Sequence, residues 1–370
     1  MLSRFNSLLT ASVLFAAACQ PALAARLGDV ATALQPGQWQ VLNRAGDGAG
    51  FEYSLIEACQ PGGCYDNILN YADKGMWNPA TREIEFLGKG HMAEHKHITY
   101  SEASNRWSTR TRPGWACGVQ DNCYGMGHGY EHSAINPATG DVYARIQSSG
   151  TLYKWTRSTQ SWAQLPAAPA LEIAIAIEYF PEMGGLLMAG TRNGRGELHI
   201  FRESTRTWSQ LASGLSMGAY HNHATYNPLH KIVVFGGGNG SNQLHRVDAS
   251  GNVSPIAAAP VEVRIKTAIF TVDPASGRYL LFGNNGGFYQ YDVASNSWSS
   301  LSTSNVPLFA SSSERVAYRV AVPISTHGVV AFLVADDSNT RVLLYRHAPA
   351  ASAPPIDTTP PNAPMGLSVR

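Results

Sequence analysis

Apolar and polar positions along the chain recur in one arrangement. A short apolar run meets a turn. A second apolar run follows and ends at small residues. After a loop comes a run built around tyrosine, then a tryptophan or valine. The clearest copies are AIFTVDPASGRYLLFGNNGGFYQYDVASNSW, from Ala268 to Trp298, and ATYNPLHKIVVFGGGNGSNQLHRVDASGNV, from Ala224 to Val253. Others end at Trp107, Trp162 and Trp208, and the last three spacings, from Trp162 through Trp208 and Val253 to Trp298, are about 45 residues. The runs alternate or are apolar throughout, as strands covered on both faces are. Between the first two runs stand NPATRE, NPATGD, NPLHK and DPASGR, in which Asn-Pro or Asp-Pro opens a turn. No helix of useful length is evident.

A unit of this size cannot bury its own apolar face, so such units stack around an axis. The expected fold is all-β: a β-propeller of six blades that begin near Ile68, Tyr130, Glu172, His221, Ile265 and Ala317. Seven blades is the alternative, because residues 44–67 hold material for a further hairpin. The last repeat, Tyr318 to Ala348, has three strands and no fourth. PGQWQVLN, from Pro36 to Asn43, reads as an outer strand with no blade before it. The simplest closure lets this N-terminal strand complete the last blade, which removes the exposed edges. The propeller then spans 36–348, with Thr111 to Met126 as an insertion after the first blade.

The two ends read differently. Arg4, the apolar stretch Leu8 to Ala18 and Ala22-Leu23-Ala24 form a signal peptide over 1–24, with the mature chain starting near Ala25. Cys19 inside it offers a rival processing route, as an acylated residue. No later run is long and apolar enough for a transmembrane helix. The expected location is therefore secreted, periplasmic or at the cell surface. From 349 to 364 the chain is a Pro-rich linker. TTPPNAPMGLSV resembles the opening of a bacterial fibronectin type III domain, so 365–370 implies further C-terminal domains.

Composition narrows the partners. The chain has 370 residues, 44% hydrophobic and 14% charged, with a net charge of +1. No global field draws it to nucleic acid, which is dropped as a partner. After the signal, four cysteines form two close pairs, Cys59/Cys64 and Cys117/Cys123. Export makes two local disulfides the favoured reading, and the spacings do not form a tight zinc knuckle. Cross-pairing stays open.

The repeats resemble the kelch and galactose-oxidase-like propellers. VVFGGGNG (Val233 to Gly240), LLFGNNGG (Leu280 to Gly287), YQYDVASNSW (Tyr289 to Trp298) and ITYSEASNRW (Ile98 to Trp107) carry the resemblance. Only the fourth blade has a run of glycines at the strand end. The resemblance covers Ile68 to Ala348 and implies tryptophans packed between adjacent blades. It does not imply one function, since propellers host binding, hydrolysis, oxidation and elimination alike.

In a propeller the first strand of each blade lines the axis, and the segments leading into these strands gather on one face. Lys74, His132 and His223 each lie four residues before a turn asparagine. Beside them come His128, Tyr130, Glu131, Tyr220 and His221. Later blades bring Arg264, Lys266, Arg315 and Arg319, and the loops between second and third strands add His91, His95, Arg192 and Arg195. For each histidine alone, hydrogen bonding between blades is the plainer role. Together these types suit a pocket for an acidic polysaccharide. His132 or His223, with His128 and His221, would exchange protons, and Tyr220 or Tyr130 would protonate a leaving oxygen. Arg264, Lys266, Arg315, Arg319, Lys74 and Arg192 would neutralise a carboxylate. These are the needs of β-elimination on a uronate, and the residue types are similar to those of propeller polysaccharide lyases such as the ulvan lyases.

Three alternatives stay open. One is a binding module for carbohydrate or protein. Another is a copper-radical oxidase, because AYHNHATYNPLHKIVVFGGGNG resembles the galactose-oxidase-like segment and would make Tyr220 and His221 ligands. The third is a structural metal ion held by His91, His95 and His97 with Glu94. No cofactor motif is present.

Overall fold

The Asn/Asp-Pro turns set the geometry of the inner strands. Asn78 Oδ1 accepts from the amides of Ala80 and Thr81, Asn136 Oδ1 from Ala138, Asn227 Oδ1 from Leu229 and His230, and the Asp273 carboxylate from Ala275 and Ser276. Each side chain thus replaces a backbone acceptor and reverses the chain after the inner strand.

The computed structural model describes residues 26–348 except 122, 124–126, 147–149, 310–315 and 337–338. The expected signal segment 1–24 with Cys19, the expected linker 349–364, the segment 365–370 and Arg315 lie outside the described residues. Six antiparallel four-stranded sheets form the blades of a β-propeller. Their innermost strands are Met76–Asn78, Ser133–Ile135, Ala176–Phe180, Asn222–Asn227, Ala268–Val272 and Arg319–Ile324, for blades 1 to 6. Single parallel bridges, Lys74 with Ala321 and Glu131 with Ala176, tie neighbouring inner segments.

Blade 6 closes as the repeat count requires. Trp39–Arg44 pairs antiparallel with Arg341–Tyr345, and the Trp39 ring stacks on Tyr345 at 4.3 Å. Apolar side chains fill the gaps between blades: Ile269, Leu280 and Phe282 of blade 5 cluster with Ala321, Phe332 and Leu343 of blade 6. Three blade-end tryptophans lock blades 1, 3 and 5 to their predecessors. Trp107 donates its indole N–H to Asn43, Trp208 to the Pro166 carbonyl and Trp298 to the Ala257 carbonyl. A chain lacking residues 26–44 exposes both the blade 6 edge and the apolar cluster beneath it. We expect it to aggregate or to lose the cooperative melting transition seen by circular dichroism in the full chain.

Two expectations change. Residues 44–67 make no seventh blade; Glu57–Gln60 and Gly63–Asn67 form a separate two-stranded hairpin closed by the Cys59–Cys64 disulfide. The second pair, Cys117–Cys123, is also bonded locally. A short helix, Leu27–Ala33, precedes the closing strand and buries Leu27, Val30 and Ala31 in the cluster shared with blades 1 and 6.

The channel has two unlike mouths. On the turn side one proline from each blade (Pro79, Pro137, Pro181, Pro228, Pro274 and Pro323) rims an apolar funnel of about 320 Å³, and Lys74 and Glu178 are among its lining residues. The other mouth is polar.

Candidate functional site at the polar mouth

The segments leading into the inner strands turn sharply, and they do so through left-handed residues that are not glycine. Tyr71, Tyr130, His221, Lys266 and Tyr318 have φ of 51, 46, 59, 78 and 59°. Tyr220, beside His221, has φ 56°. Such backbones cost about 1–3 kcal/mol each and persist where the surroundings over-determine them, as at ligand clamps.

Four of these residues and their neighbours converge. The Tyr71 ring stacks on His221 at 5.4 Å and meets His128 at 4.5 Å. Tyr130 lies 5.7 Å from His221 and 5.8 Å from His128, and His91 lies 4.9 Å from His128. Lys266 places Nζ 4.8 Å above the Tyr71 ring, a cation–π contact. Tyr71, His221, Arg264, Lys266 and Asn284 line a cavity of about 330 Å³ here.

The glycine run of blade 4 orients one of these imidazoles. Gly237 and Gly238 have φ of 63 and 101°, and a Cβ on Gly238 would sit 2.4 Å from the Gly218 carbonyl oxygen. Only glycine fits that close approach. The turn it permits brings the Asn239 amide to the carbonyls of Ala219 and Tyr220, and Asn239 Oδ1 to 2.7 Å from His221 Nδ1. Nδ1–H donates to that oxygen, which leaves Nε2 as the proton acceptor. Burial lowers the His221 pKa below its usual value, against the pull of the Asn239 hydrogen bond. Burial also pushes His128 down to about 4, and its Nδ1 has no hydrogen-bond partner among the described residues. Tyr130 is pushed up by burial. The mouth therefore presents the neutral imidazoles of His221 and His128 and the protonated phenol of Tyr130 beside cationic side chains.

Below it the axis is plugged by charge. Lys74 Nζ donates to the carbonyls of Ile177 (2.6 Å) and Ala224 (3.1 Å) and lies 3.3 Å from both Glu131 and Glu178. His223 Nδ1 lies 2.7 Å from Asp73 Oδ2 and 3.0 Å from Glu131 Oε1. Burial works to discharge His223, but Asp73 and Glu131 outweigh it and hold the imidazolium up to about 10. Burial pushes Asp73 up to about 6 despite His223.

The residues expected from sequence thus divide. His128, Tyr130, His221, Arg264 and Lys266 meet at the mouth, with Tyr220 exposed on its rim. His223 and Lys74 are sealed in the plug, where neither reaches a solvent-borne substrate from the polar side. His132 does not join them; its Nε2 lies 3.1 Å from the Ile173 carbonyl oxygen and 3.2 Å from Arg145, so it ties blade 2 to the chain leading into blade 3. Arg319 is 2% exposed, and its guanidinium donates to the carbonyls of Leu308, Ala317 and Ala335 and to Asp336. It is a clamp of blade 6, with all three of its nitrogens engaged by the protein. Arg192, at the end of the strand Gly185–Arg192, pairs with Glu197 at 3.3 Å. Tyr71, Asp73 and Asn239 are the residues that sequence reasoning missed.

Neither metal reading survives as first drawn. His91, His95 and His97 diverge: His91 is exposed, His95 accepts from the Cys117 amide, and His97 pairs with Glu85 at 2.9 Å. Glu94 accepts from the Cys59 amide and pairs with Lys96. A copper-radical site needs a free cysteine beside its tyrosine, and all four cysteines of residues 26–348 are spent in disulfides.

No protein-family model matches the chain, and no curated protein matches it in sequence. Among solved structures it is similar to a chain of the crystal structure of a nidogen/laminin complex, at 9% identity and TM-score 0.45, over 64% of this chain and 81% of that one.

Proposed function

We propose that this is an exported, kelch-like propeller that binds an acidic polysaccharide at the polar mouth and cleaves it by β-elimination. The observation that carries the reading is His221: a neutral imidazole with Nδ1 fixed by Asn239, stacked on the Tyr71 phenol, over whose ring Lys266 lies. Aromatic rings suit sugar faces, and the two disulfides suit an oxidising compartment.

The chemistry follows from these groups. Lys266 and Arg264 neutralise the uronate carboxylate, which acidifies the adjacent C5–H. His221 Nε2 takes that proton. The electron pair forms the C4–C5 double bond as the C4–O bond breaks, and the phenol of Tyr71 or Tyr130 protonates the leaving oxygen. No oxidant or cofactor enters.

A panel of polyuronates read by the near-ultraviolet absorbance of unsaturated uronides tests this. The expected result is a rise with at least one polymer. Gel retardation with no absorbance change on any of them would make the chain a binding module instead. The pH profile is a further check. Because burial lowers the His221 pKa, the base stays neutral as pH falls through 6.5, so the acid limb of kcat/KM lies below that value. In Asn239→Ala the ring loses its fixed tautomer, and kcat is expected to fall about tenfold or more while KM holds.

A further inference from the structure

Three side chains at the axis are arranged for something that hydrogen bonds do not supply. Asp73, Glu131 and His223 come from blades 1, 2 and 4 and are 2, 0 and 0% exposed. One ligand atom from each lies within 4.8 Å of the others. His223 Nδ1 is approached by Asp73 Oδ2 at 2.7 Å and by Glu131 Oε1 at 3.0 Å, yet neither approach has hydrogen-bond alignment. Both Asp73 oxygens, Glu131 Oε1 and both His223 nitrogens lack a hydrogen-bond partner among the described residues. Three of these atoms meet only as close ion pairs and Asp73 Oδ1 and His223 Nε2 meet no partner among the described residues, which is costly for buried polar groups.

We propose that Asp73, Glu131 and His223 form a binding site for one divalent first-row metal ion of the zinc or manganese class. An imidazole nitrogen with two carboxylate oxygens is a donor set for such ions rather than for calcium or magnesium, which take oxygen alone. An ion between them would satisfy Nδ1, Asp73 and Glu131 Oε1 together, since coordination does not require the N–H direction that a hydrogen bond does. Metal–ligand bonds of about 2.0–2.1 Å in a tetrahedral site separate neighbouring donors by about 3.3 Å. The imidazole nitrogen and the two carboxylate oxygens that approach it therefore need to part by only about half an ångström.

The surroundings complete the site. Glu131 Oε2 is already held by the Ala224 amide at 2.8 Å and by Lys74, which leaves Oε1 to face the ion. Asp73, Glu131 and Glu178 bring three carboxylates to one ammonium, Lys74, and a divalent ion that displaces the His223 Nδ1 proton to solvent, leaving a neutral imidazole, balances them. The placement also has a consequence. Asp73, Glu131 and His223 follow Tyr71, Tyr130 and His221 by two, one and two residues. An ion here would fix three left-handed mouth residues relative to one another, whether or not the mouth is catalytic.

The test uses the full chain, treated with chelator, reloaded with Zn²⁺ or Mn²⁺ and desalted. Elemental analysis is expected to find about one ion per chain, and the melting temperature is expected to fall on chelation and recover on reloading. In Asp73→Asn and Glu131→Gln, metal affinity is expected to drop at least tenfold and the chelator effect to vanish. Should those variants fail to fold, Co²⁺ loaded into the unaltered chain is expected to give the visible absorption of a nitrogen–oxygen site, displaced by Zn²⁺. No retained metal and no chelator effect would overturn the proposal. Undiminished metal retention in folded Asp73→Asn would overturn it equally, by placing the ion elsewhere.

Discussion

Lys74→Met is expected to destabilise the chain by about 3–5 kcal/mol, the usual cost of removing one partner from a buried ion pair. The single ammonium serves two carbonyls, Ile177 and Ala224, and two carboxylates, Glu131 and Glu178. Methionine fills the volume and satisfies none of them. Burial alone would strip the proton from Lys74, yet Glu131 and Glu178 hold its pKa above the ordinary lysine value, so the charge belongs to the folded state. The effect reads as a lower denaturation midpoint at unchanged slope. Adding Glu178→Gln to Lys74→Met should recover part of the loss, because one unpaired charge then leaves the channel. A loss under about 1 kcal/mol for the single variant would mean that the plug is wetter than its geometry implies.

The second large effect is on chemistry. His221→Ala is expected to lower turnover on the cleaved polyuronate by about 10²–10⁴-fold, the usual contribution of a positioned base. Its ring sits at the mouth, outside the apolar clusters between blades, so the melting temperature should hardly move. Loss of folding in this variant would assign His221 to the scaffold. The contrast is His132→Ala, which removes a buried tie between blades 2 and 3 and should cost stability instead, because Arg145 then loses a neighbour at 3.2 Å.

The repeating pattern carried most of the architecture. Asn-Pro and Asp-Pro turns, blade-end tryptophans and the unmatched strand at Trp39 are local signals whose consequences are global, because an incomplete ring leaves an open edge. The helix Leu27–Ala33 escaped because seven residues carry too little periodicity, and its apolar positions make sense only against blades 1 and 6. At the mouth, His128, Tyr130, His221, Arg264 and Lys266 were readable because they sit just ahead of inner strands. Tyr71 stands one residue further from its turn asparagine than Tyr130 does, so counting back from the turn passes over it.

The plug was not readable in the same way. Counting back from the turn asparagine sets His132 level with His223, but the chain leading into blade 2 brings Glu131 to the axis instead. A one-residue offset of this kind exchanges which side chain faces the channel. Arg319 shows a different limit. An arginine ahead of an inner strand reads as a cation for ligand, and sequence does not reveal that nearby carbonyls already use its donors. Nor does spacing alone distinguish the histidines of GHMAEHKH, which share a segment and point to three separate partners.

Binding of a short uronate oligosaccharide, followed by nuclear magnetic resonance on chain with labelled histidine and tyrosine rings, tests the central claim most directly. We expect His221, His128, Tyr71 and Tyr130 to shift on titration while Tyr179 and Tyr226, at the proline-rimmed funnel, stay still. Shifts confined to the funnel tyrosines, or no shifts with any uronate, would contradict the assignment of the polar mouth as the glycan site.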